Sequence, residues 1–198
     1  MKTFRRVIGL TGGIASGKST VLELFQKQGI PTLSADLLAH ECVQPGKPAY
    51  HAVLRHFGTH FRLPDGSLDR EKLGRHVFAN ASERRKLERL IHPCVIQEIK
   101  TFIRQHSGFM MVDIPLLYEA KLVSLVDEVV VVYATQAQQI ARLTSRNGYS
   151  KVEALRRIRS QWPLRQKCQL ANTVLNNTTS LQQLKKNVNA YLQNILTR

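Results

Sequence analysis

The chain has few cysteines and no long apolar segment. Its three cysteines, Cys42, Cys94 and Cys168, are odd in number, widely spaced and without a CxxC pair. The sequence therefore predicts neither a disulfide framework nor a zinc site, and it favours a reducing cytoplasm. No apolar run is long enough to span a membrane, and the run near the N-terminus stops at Thr11, too early for a secretion signal. We expect a cytoplasmic protein with no membrane partner.

Acidic residues are also scarce, above all in the second half of the chain. The 198 residues include 29 Lys and Arg but only 14 Asp and Glu, a net charge of +15. From Val129 onwards there are eleven basic residues and a single acid, Glu153. This imbalance predicts a polyanionic partner, which is either nucleic acid or a small substrate rich in phosphate. A solvated basic face that aids solubility accounts for part of the same charge.

The strongest motif is the segment LTGGIASGKST at residues 10–20. Gly12 is followed, after four residues, by Gly17, Lys18 and Ser19, which fits the phosphate-binding pattern GxxxxGK[ST]. A short β-branched run precedes the motif, and a run with helical spacing follows it. The motif is therefore predicted to connect a strand to a helix. The alternative is a glycine-rich turn that happens to precede a helix.

The residue types of this loop suit the phosphate chain of a nucleotide. Glycines let phosphate rest against backbone N–H groups, and the following helix points its positive end at the same place. Lys18 can reach the terminal phosphates, the Ser19 hydroxyl can ligate Mg²⁺, and Thr20 adds a polar contact. The loop therefore implies ATP or GTP. A GTPase would carry an NKxD stretch, which this sequence lacks.

Strands are predicted to alternate with helices along the chain. Short apolar runs predict five strands, at about residues 4–10, 31–33, 108–114, 128–134 and 173–175. Residues 37–107 have helical spacing, interrupted at His92-Pro93. This order predicts a parallel α/β sheet whose ligands gather at the carboxyl ends of the strands. The glycine loop, Asp36 and Asp113 are expected there.

Asp36 helps to identify the group that receives the phosphoryl group. A phosphate acceptor needs arginines but no base, whereas a sugar hydroxyl gains from a carboxylate that orients it and takes its proton. Asp36 follows the second predicted strand and is placed for that role. The alternative is that Asp36 is the N-cap of a helix beginning at Leu37.

Two helices are predicted in the basic half of the chain. Thr135 and Gln138 have the spacing of a capping box, and the helix that they begin places Arg142 and Arg146 one turn apart. The next helix is expected to bury an apolar seam formed by Val152, Leu155, Ile158 and Trp162.

Six segments together resemble the dephospho-coenzyme A kinase family. They are IGLTGGIASGKSTV, ADLLAHECVQPG, LIHPCV, DIPLLYE, RLTSRNGYS and RSQWP, and they span nearly the whole chain. The resemblance implies ATP-dependent phosphorylation of the ribose 3′-hydroxyl of dephospho-coenzyme A, the last step of coenzyme A synthesis. It also implies a three-layer P-loop kinase fold with a parallel sheet, a helical acceptor-binding insertion and a basic lid. In a single domain of residues 1–198, the core is expected at about 1–36, 108–144 and 168–198, the insertion at 37–107 and the lid at 145–167.

The family's nucleotide-binding roles carry over to this chain by resemblance. The loop residues that would bind ATP are Gly12, Gly13, Ala15, Ser16, Gly17, Lys18, Ser19 and Thr20. Lys18 would contact the transferring phosphate. Arg142 and Arg146 would belong to the lid that closes over ATP, and Arg146 would act in catalysis. Ser19 and Asp113 would hold Mg²⁺.

The acceptor-binding roles carry over in the same way. Asp36 would be the catalytic base and would contact the acceptor. The other segments near the acceptor are matched by His92, Pro93, Leu116, Leu117 and Glu119. The chain departs from the family where acids are common, at Ser34, Asn172 and Asn176. These departures leave the catalytic set intact but put in doubt any role of the three positions in the nucleotide pocket.

The competing interpretation is an ATPase that binds nucleic acid. The net charge supports it, as do Tyr149 and Trp162, which lie among arginines. No RNA- or DNA-binding motif is recognisable, however, and Trp162 fits the predicted apolar seam. We therefore expect ATP, Mg²⁺ and dephospho-coenzyme A as partners and no nucleic acid.

Overall fold

The computed structural model describes residues 4–197, apart from the side chain of Phe78. Its strands are β1 (Arg5–Gly12), β2 (Thr32–Ser34), β3 (Gly108–Asp113), β4 (Glu128–Tyr133) and β5 (Thr173–Asn176). Its helices are α1 (Lys18–Lys27), α2 (Ala35–Cys42), α3 (Pro48–Phe57), α4 (Arg70–Ala79), α5 (Ala81–Gln105), α6 (Gln136–Asn147), α7 (Lys151–Arg159), α8 (Leu164–Leu170) and α9 (Leu181–Leu196). The expected α/β class is confirmed, and each predicted strand lies within two residues of an observed one.

The strands form one sheet in the order β2-β3-β1-β4-β5. Strand β1 pairs in parallel with both β3 and β4, and β4 pairs in parallel with β5. The carboxyl ends of these four strands therefore lie at one edge of the sheet. Strand β1 is central and ends at Gly12, so the glycine loop begins in the middle of that edge.

The side chains of β1 alternate between the two faces of the sheet. Ile8 and Leu10 join a buried cluster with Phe25 of α1 and Tyr191 of α9. Gly9 faces the opposite way, where an added Cβ would lie 3.0 Å from the Val126 methyl carbons. Burial of large apolar side chains, each contributing about 1.5–3 kcal/mol, holds α1 against the sheet. The start of α1 is thereby fixed beside the glycine loop.

The chain divides into two compact units. Residues 4–33 and 103–197 form the unit that contains most of the sheet. Residues 34–102 form a helical unit with its own buried side chains, among them Leu38, Val53 and Ile99. The helical character of this second unit agrees with the spacing of its apolar residues. The boundaries proposed for the insertion and the lid stay predictions.

The expectation that His92-Pro93 interrupts a helix is wrong. Helix α5 runs without interruption from Ala81 to Gln105, with Pro93 inside it. A proline within a helix removes one backbone hydrogen bond and costs about 3 kcal/mol. Burial of Val95 and Ile99 on the following turns offsets this cost.

The expectation that the chain contains no disulfide is also wrong. Cys42 and Cys94 are joined, with their Cα atoms 6.1 Å apart, and Cys168 is free. The two bonded cysteines are 52 residues apart in sequence, but α2 ends at Cys42 and α5 passes through Cys94 in the same unit. Spacing along the chain carries no information about this packing of two helices.

The apolar seam predicted for α7 is wrong at both ends. Val152 is 68% exposed and Trp162 is 39% exposed, whereas Ala154 is fully buried. Helix α7 contacts α6, and its buried residue is the small Ala154 rather than Val152. Sequence periodicity identified an apolar helix but not the face that packs.

We predict that reduction of the disulfide destabilises the protein. A cross-link that closes a loop of this length restricts the unfolded chain and contributes about 2–4 kcal/mol. Without reductant, Cys94→Ser should therefore have a lower Tm than the parent, and with reductant the two should melt close together. Differential scanning calorimetry measures the difference. Cys168→Ser is the matched control, and its Tm should equal that of the parent with and without reductant. A parent Tm that is the same with and without reductant would contradict the prediction.

Candidate active site

The glycine loop connects β1 to α1, as the sequence predicts. Gly17 is the N-cap of α1 and has a left-handed conformation, with φ of 104°. A Cβ at Gly17 would lie 2.2 Å from Asn177 Nδ2, and a Cβ at Gly12 would lie 2.7 Å from the Val132 carbonyl oxygen. The glycines are therefore required by the atoms packed behind the loop as well as by room for a phosphate in front of it.

Amide side chains bind the loop carbonyls from behind. Gln139 Nε2 donates to the Ile14 carbonyl over 2.7 Å, and Asn177 Nδ2 donates to the Ser16 carbonyl over 2.7 Å. Both amide side chains belong to buried residues. Because these carbonyls face the protein, the neighbouring N–H groups are turned toward the opposite side of the loop.

Arg142 binds the same side of the loop. Its Nη1 lies 3.1 Å from the Ala15 carbonyl oxygen and 3.2 Å from that of Ser16, and its Nη2 lies 3.2 Å from the Asn177 carbonyl oxygen. The guanidinium thus joins the loop to the segment after β5 and places a positive charge beside the phosphate-binding loop. Its predicted contact with ATP stays a prediction.

The first turn of α1 presents backbone donors to a ligand. The residues described around this helix provide no side-chain cap and no acid in its first turn. The first bond of the helical ladder joins the Val21 N–H to the Gly17 carbonyl. The N–H groups of Lys18, Ser19 and Thr20 consequently have no acceptor within the helix. Together with the positive end of the helix dipole, they form a site for an anion such as phosphate.

Lys18 lies over the loop that it is predicted to serve, since its Nζ is 3.3 Å from the Gly13 carbonyl oxygen. Asp113 is buried at the carboxyl end of β3, opposite Leu10 of β1. Asp113 and the glycine loop therefore share one edge of the sheet, as the sequence predicts. The Asp113 carboxylate and the Ser19 hydroxyl are oxygen ligands of the kind that Mg²⁺ prefers, so this donor set fits the ion.

Asp36 belongs to the helical unit and is exposed. Helix α2 begins at Ala35 with Ser34 as its N-cap, so the alternative in which Asp36 is the N-cap is wrong. Asp36 instead lies in the first turn, close enough to Arg70 to affect it. Desolvation lowers the pKa of Arg70, and the negative charge of Asp36 opposes that shift.

The predicted acceptor residues lie in two places. Leu116, Leu117 and Glu119 occupy the turn after β3, whereas His92 is a half-buried residue of α5. Leu117 is fully buried, with its Cδ2 close to Gly9, and Leu116 is half-buried. Glu119 Oε1 accepts hydrogen bonds from Lys167 Nζ over 2.7 Å and from the Trp162 N–H over 2.9 Å.

Arg146 lies one helical turn after Arg142 on α6, as predicted. The predicted capping box of Thr135 and Gln138 is present at the start of this helix. Arg146 is exposed and its Nε donates to Asn147 Oδ1 over 3.0 Å. Its side chain therefore projects from the end of α6 near the turn at Gly148.

Asparagines at two positions where the family often has acids bind backbone groups. Asn172 Oδ1 accepts from the Val129 N–H over 2.8 Å, and Asn176 Oδ1 accepts from the Thr178 N–H over 2.9 Å. A side-chain oxygen suffices for both bonds, so a charge is not needed. The bonds made by Asn172 and Asn176 support the ends of β4 and β5 rather than a ligand.

Sequence reasoning missed Gln139, Asn177 and Arg70. The first two act on a loop more than one hundred residues away, and neither belongs to a motif segment. Arg70 follows a turn, at the start of α4, and only the folded unit brings its charge near Asp36.

We predict that Asn177→Ala weakens nucleotide binding about threefold to tenfold. This loss of affinity corresponds to the net free energy of one hydrogen bond to the loop. The Ser16 carbonyl would lose its nearest donor, and the loop would hold its N–H groups less firmly. Asn177→Asp should weaken binding further, because an acceptor would then face the carbonyl. Calorimetry with a non-hydrolysable ATP analogue measures both affinities. The exposed Asn194→Ala is the matched control, and equal affinities in all four proteins would contradict the prediction.

The chain is similar to proteins of known activity over nearly its whole length. The family model described as "CoaE: Dephospho-CoA kinase" matches residues 6–183. A dephospho-CoA kinase from Bacillus cereus is 45% identical, covering 95% of this chain and 96% of its own length. One from Carboxydothermus hydrogenoformans is also 45% identical, over 94% of this chain and 93% of its own.

Solved structures agree with these relatives. TT1252 from Thermus thermophilus is 31% identical, with a TM-score of 0.81 and coverage of 97% of this chain and 98% of that one. Dephospho-CoA kinase from Campylobacter jejuni is 25% identical, with a TM-score of 0.63 and coverage of 96% and 97%. A shikimate kinase from Bacteroides thetaiotaomicron, 15% identical with a TM-score of 0.51 over 98% and 99% of the chains, shares the P-loop kinase fold. With the phosphate loop in the position that this fold requires, the chain belongs to the dephospho-CoA kinase family.

Proposed function

We propose that the protein transfers the γ-phosphoryl group of ATP to the ribose 3′-hydroxyl of dephospho-coenzyme A, the last step of coenzyme A biosynthesis. The observation that carries this proposal is the phosphate loop, with its carbonyls bound from behind, in a chain that belongs to this kinase family. The enzyme class is a phosphotransferase with an alcohol group as acceptor.

The nucleotide phosphates would bind at the start of α1. Backbone N–H groups of the first turn and the Lys18 ammonium supply positive charge where the transferring group becomes more anionic. Lys18 would exchange its contact with the Gly13 carbonyl for a phosphate oxygen. Ser19 and Asp113 are the residues that would hold Mg²⁺, which neutralises phosphate charge when bound.

Asp36 would orient the ribose hydroxyl and accept its proton. Three facts support this role: the family resemblance, the exposure of the side chain, and the absence of any capping duty that would occupy the carboxylate. The Arg70 guanidinium acts electrostatically on the same carboxylate. We propose that this attraction restrains the Asp36 side chain beside the acceptor.

Arg146 would stabilise the transferring group. Its guanidinium is exposed at the end of α6 and its described contact is a single bond to the neighbouring Asn147. That contact is weak enough to exchange for a phosphate. The roles of His92, Leu116, Leu117 and Glu119 toward the acceptor remain predictions from the family pattern.

Neither the described structure nor the relatives favour the nucleic-acid-binding alternative. The relatives and the family description name a kinase of a small molecule. The surplus of basic residues includes Lys18, Arg142 and Arg146, which serve the phosphate site in this proposal. Among residues 4–197, no helix combines the length and the apolar character needed to cross a bilayer. The cytoplasmic location stays a prediction.

We predict that dephospho-coenzyme A stimulates ATP consumption by the purified protein and that DNA and RNA do not. A coupled assay of ADP release measures turnover, and mass spectrometry of the product locates the new phosphate on the ribose. Lys18→Ala should abolish transfer while the Tm is unchanged, because this side chain acts on phosphate and not on the core. ADP release that responds to nucleic acid instead would refute the proposal.

We predict that Asp36→Asn lowers transfer to dephospho-coenzyme A by a factor of about 10² or more, the usual effect of a positioned general base. Asparagine keeps the shape of the side chain and removes its basicity. The affinity for an ATP analogue and the Tm should remain those of the parent, because the position is exposed and caps no helix. A variant that turns over at the parent rate would show that Asp36 is not the base. The exposed Glu41→Gln on the same helix is the matched control.

A further inference from the structure

Lys167 is a charged residue that the proposed mechanism does not use, yet it is fully buried. Its Nζ donates to Glu119 Oε1 over 2.7 Å and to the Pro115 carbonyl over 2.9 Å. Burial lowers the pKa of Lys167, while the hydrogen bond to Glu119 opposes that shift. A buried ion pair stabilises the folded protein little more than apolar residues of similar volume would. The presence of this pair therefore needs an explanation other than stability.

The carboxylate of this pair also holds the chain between α7 and α8. Glu119 Oε1 accepts a second hydrogen bond, from the backbone N–H of Trp162 over 2.9 Å. The Trp162 ring lies nearly parallel to that of Tyr118, at a tilt of 7°. The turn after β3 is therefore attached to the backbone of Trp162 by a charge-assisted hydrogen bond.

The residue before Trp162 binds the phosphate loop. Gln161 Oε1 accepts from the Ile14 N–H over 2.8 Å, and Gln139 binds the Ile14 carbonyl. The peptide groups on both sides of Ile14 are thus fixed in orientation. Since successive peptide planes determine where the following N–H groups point, Gln161 takes part in shaping the phosphate site.

We infer that Lys167 and Glu119 are positioning residues for the phosphate loop and that they act through Gln161. The ion pair fixes the Trp162 backbone, which places the Gln161 side chain on the Ile14 N–H. The inference rests on the proposed function only in requiring that the loop bind ATP. It gives Glu119 a task in nucleotide binding, distinct from the acceptor contact that the family pattern suggests.

The distances favour an indirect role over a direct one. Lys167 Nζ already has two acceptors and no exposed surface, so a phosphate would have to displace the Pro115 carbonyl or Glu119. The nearby Lys18 disfavours the charged form of Lys167 and lowers its pKa further. The Glu119 carboxylate therefore has to stay with Lys167, and the pair is a fixed part of the site.

The experiment replaces the ion pair by apolar residues of similar volume, in the double variant Lys167→Met/Glu119→Leu. Calorimetry without any acceptor measures the affinity for a non-hydrolysable ATP analogue. We expect affinity about threefold to tenfold weaker than in the parent, and a similar loss in Gln161→Ala. Adding Gln161→Ala to the double variant should cause no further loss of affinity, because Lys167 and Glu119 act on the loop through Gln161. The exposed Gln166→Ala on α8 is the matched control.

Glu119→Gln separates positioning from direct contact with the acceptor. Glutamine keeps an oxygen that can accept from the Trp162 N–H, so nucleotide affinity should return to within about twofold of the parent. An unchanged nucleotide affinity in the folded Lys167→Met/Glu119→Leu variant would overturn the inference, as would losses that multiply in the combined variant. If the double variant does not fold, an unchanged affinity in Gln161→Ala alone overturns it. If the parent protein binds the ATP analogue but does not phosphorylate dephospho-coenzyme A, the proposed function is refuted. The comparison of nucleotide affinities among the variants would still test the positioning role.

Discussion

Everything at the candidate site depends on the direction in which the carbonyls of the phosphate loop point. A peptide group that turns its oxygen toward the protein must turn its N–H away, and the reverse orientation would aim oxygens at an anion. Gln139, Arg142 and Asn177 bind the carbonyls of Ile14 to Ser16 from the protein side. The loop is thus prepared for phosphate before any ligand arrives, and binding does not have to pay for ordering it.

The sheet order explains why these donors can reach the loop. Strand β4 lies beside β1, and α6, which follows β4, carries both Gln139 and Arg142. Strand β5 lies beside β4, and Asn177 follows it directly. Parallel pairing brings all three strand ends to one edge. A different strand order would leave the same loop sequence without its supports, so the fold contributes as much to this site as the motif does.

The sequence predicted what is local and missed what depends on packing. The spacing of Gly12, Gly17 and Lys18 identified the loop, and Thr135 with Gln138 identified the start of α6, because both signals lie within a few residues. Gln139 and Asn177 carry no such signal, since an amide bonds a carbonyl wherever the fold brings the two together. The same limit applies to the disulfide of Cys42, whose partner depends on how two helices pack. The position of Asp36 indicated only that the acceptor is a hydroxyl, and family resemblance supplied its identity.

Two lysines near the loop, Lys18 and Lys167, have different proposed roles: the first binds phosphate and the second holds the loop in position. Lys18 follows the last loop glycine and donates to the Gly13 carbonyl over 3.3 Å, so a phosphate oxygen can replace that weak acceptor. Lys167 is sealed from solvent with a carboxylate at 2.7 Å, and separating them would leave a buried charge unpaired at a cost of about 3–5 kcal/mol. A phosphate bound at the loop therefore accepts a hydrogen bond from the Lys18 ammonium, which gives up its contact with the Gly13 carbonyl. The ammonium of Lys167 stays with Glu119, and this pair holds the Trp162 backbone and, through Gln161, the phosphate loop in place.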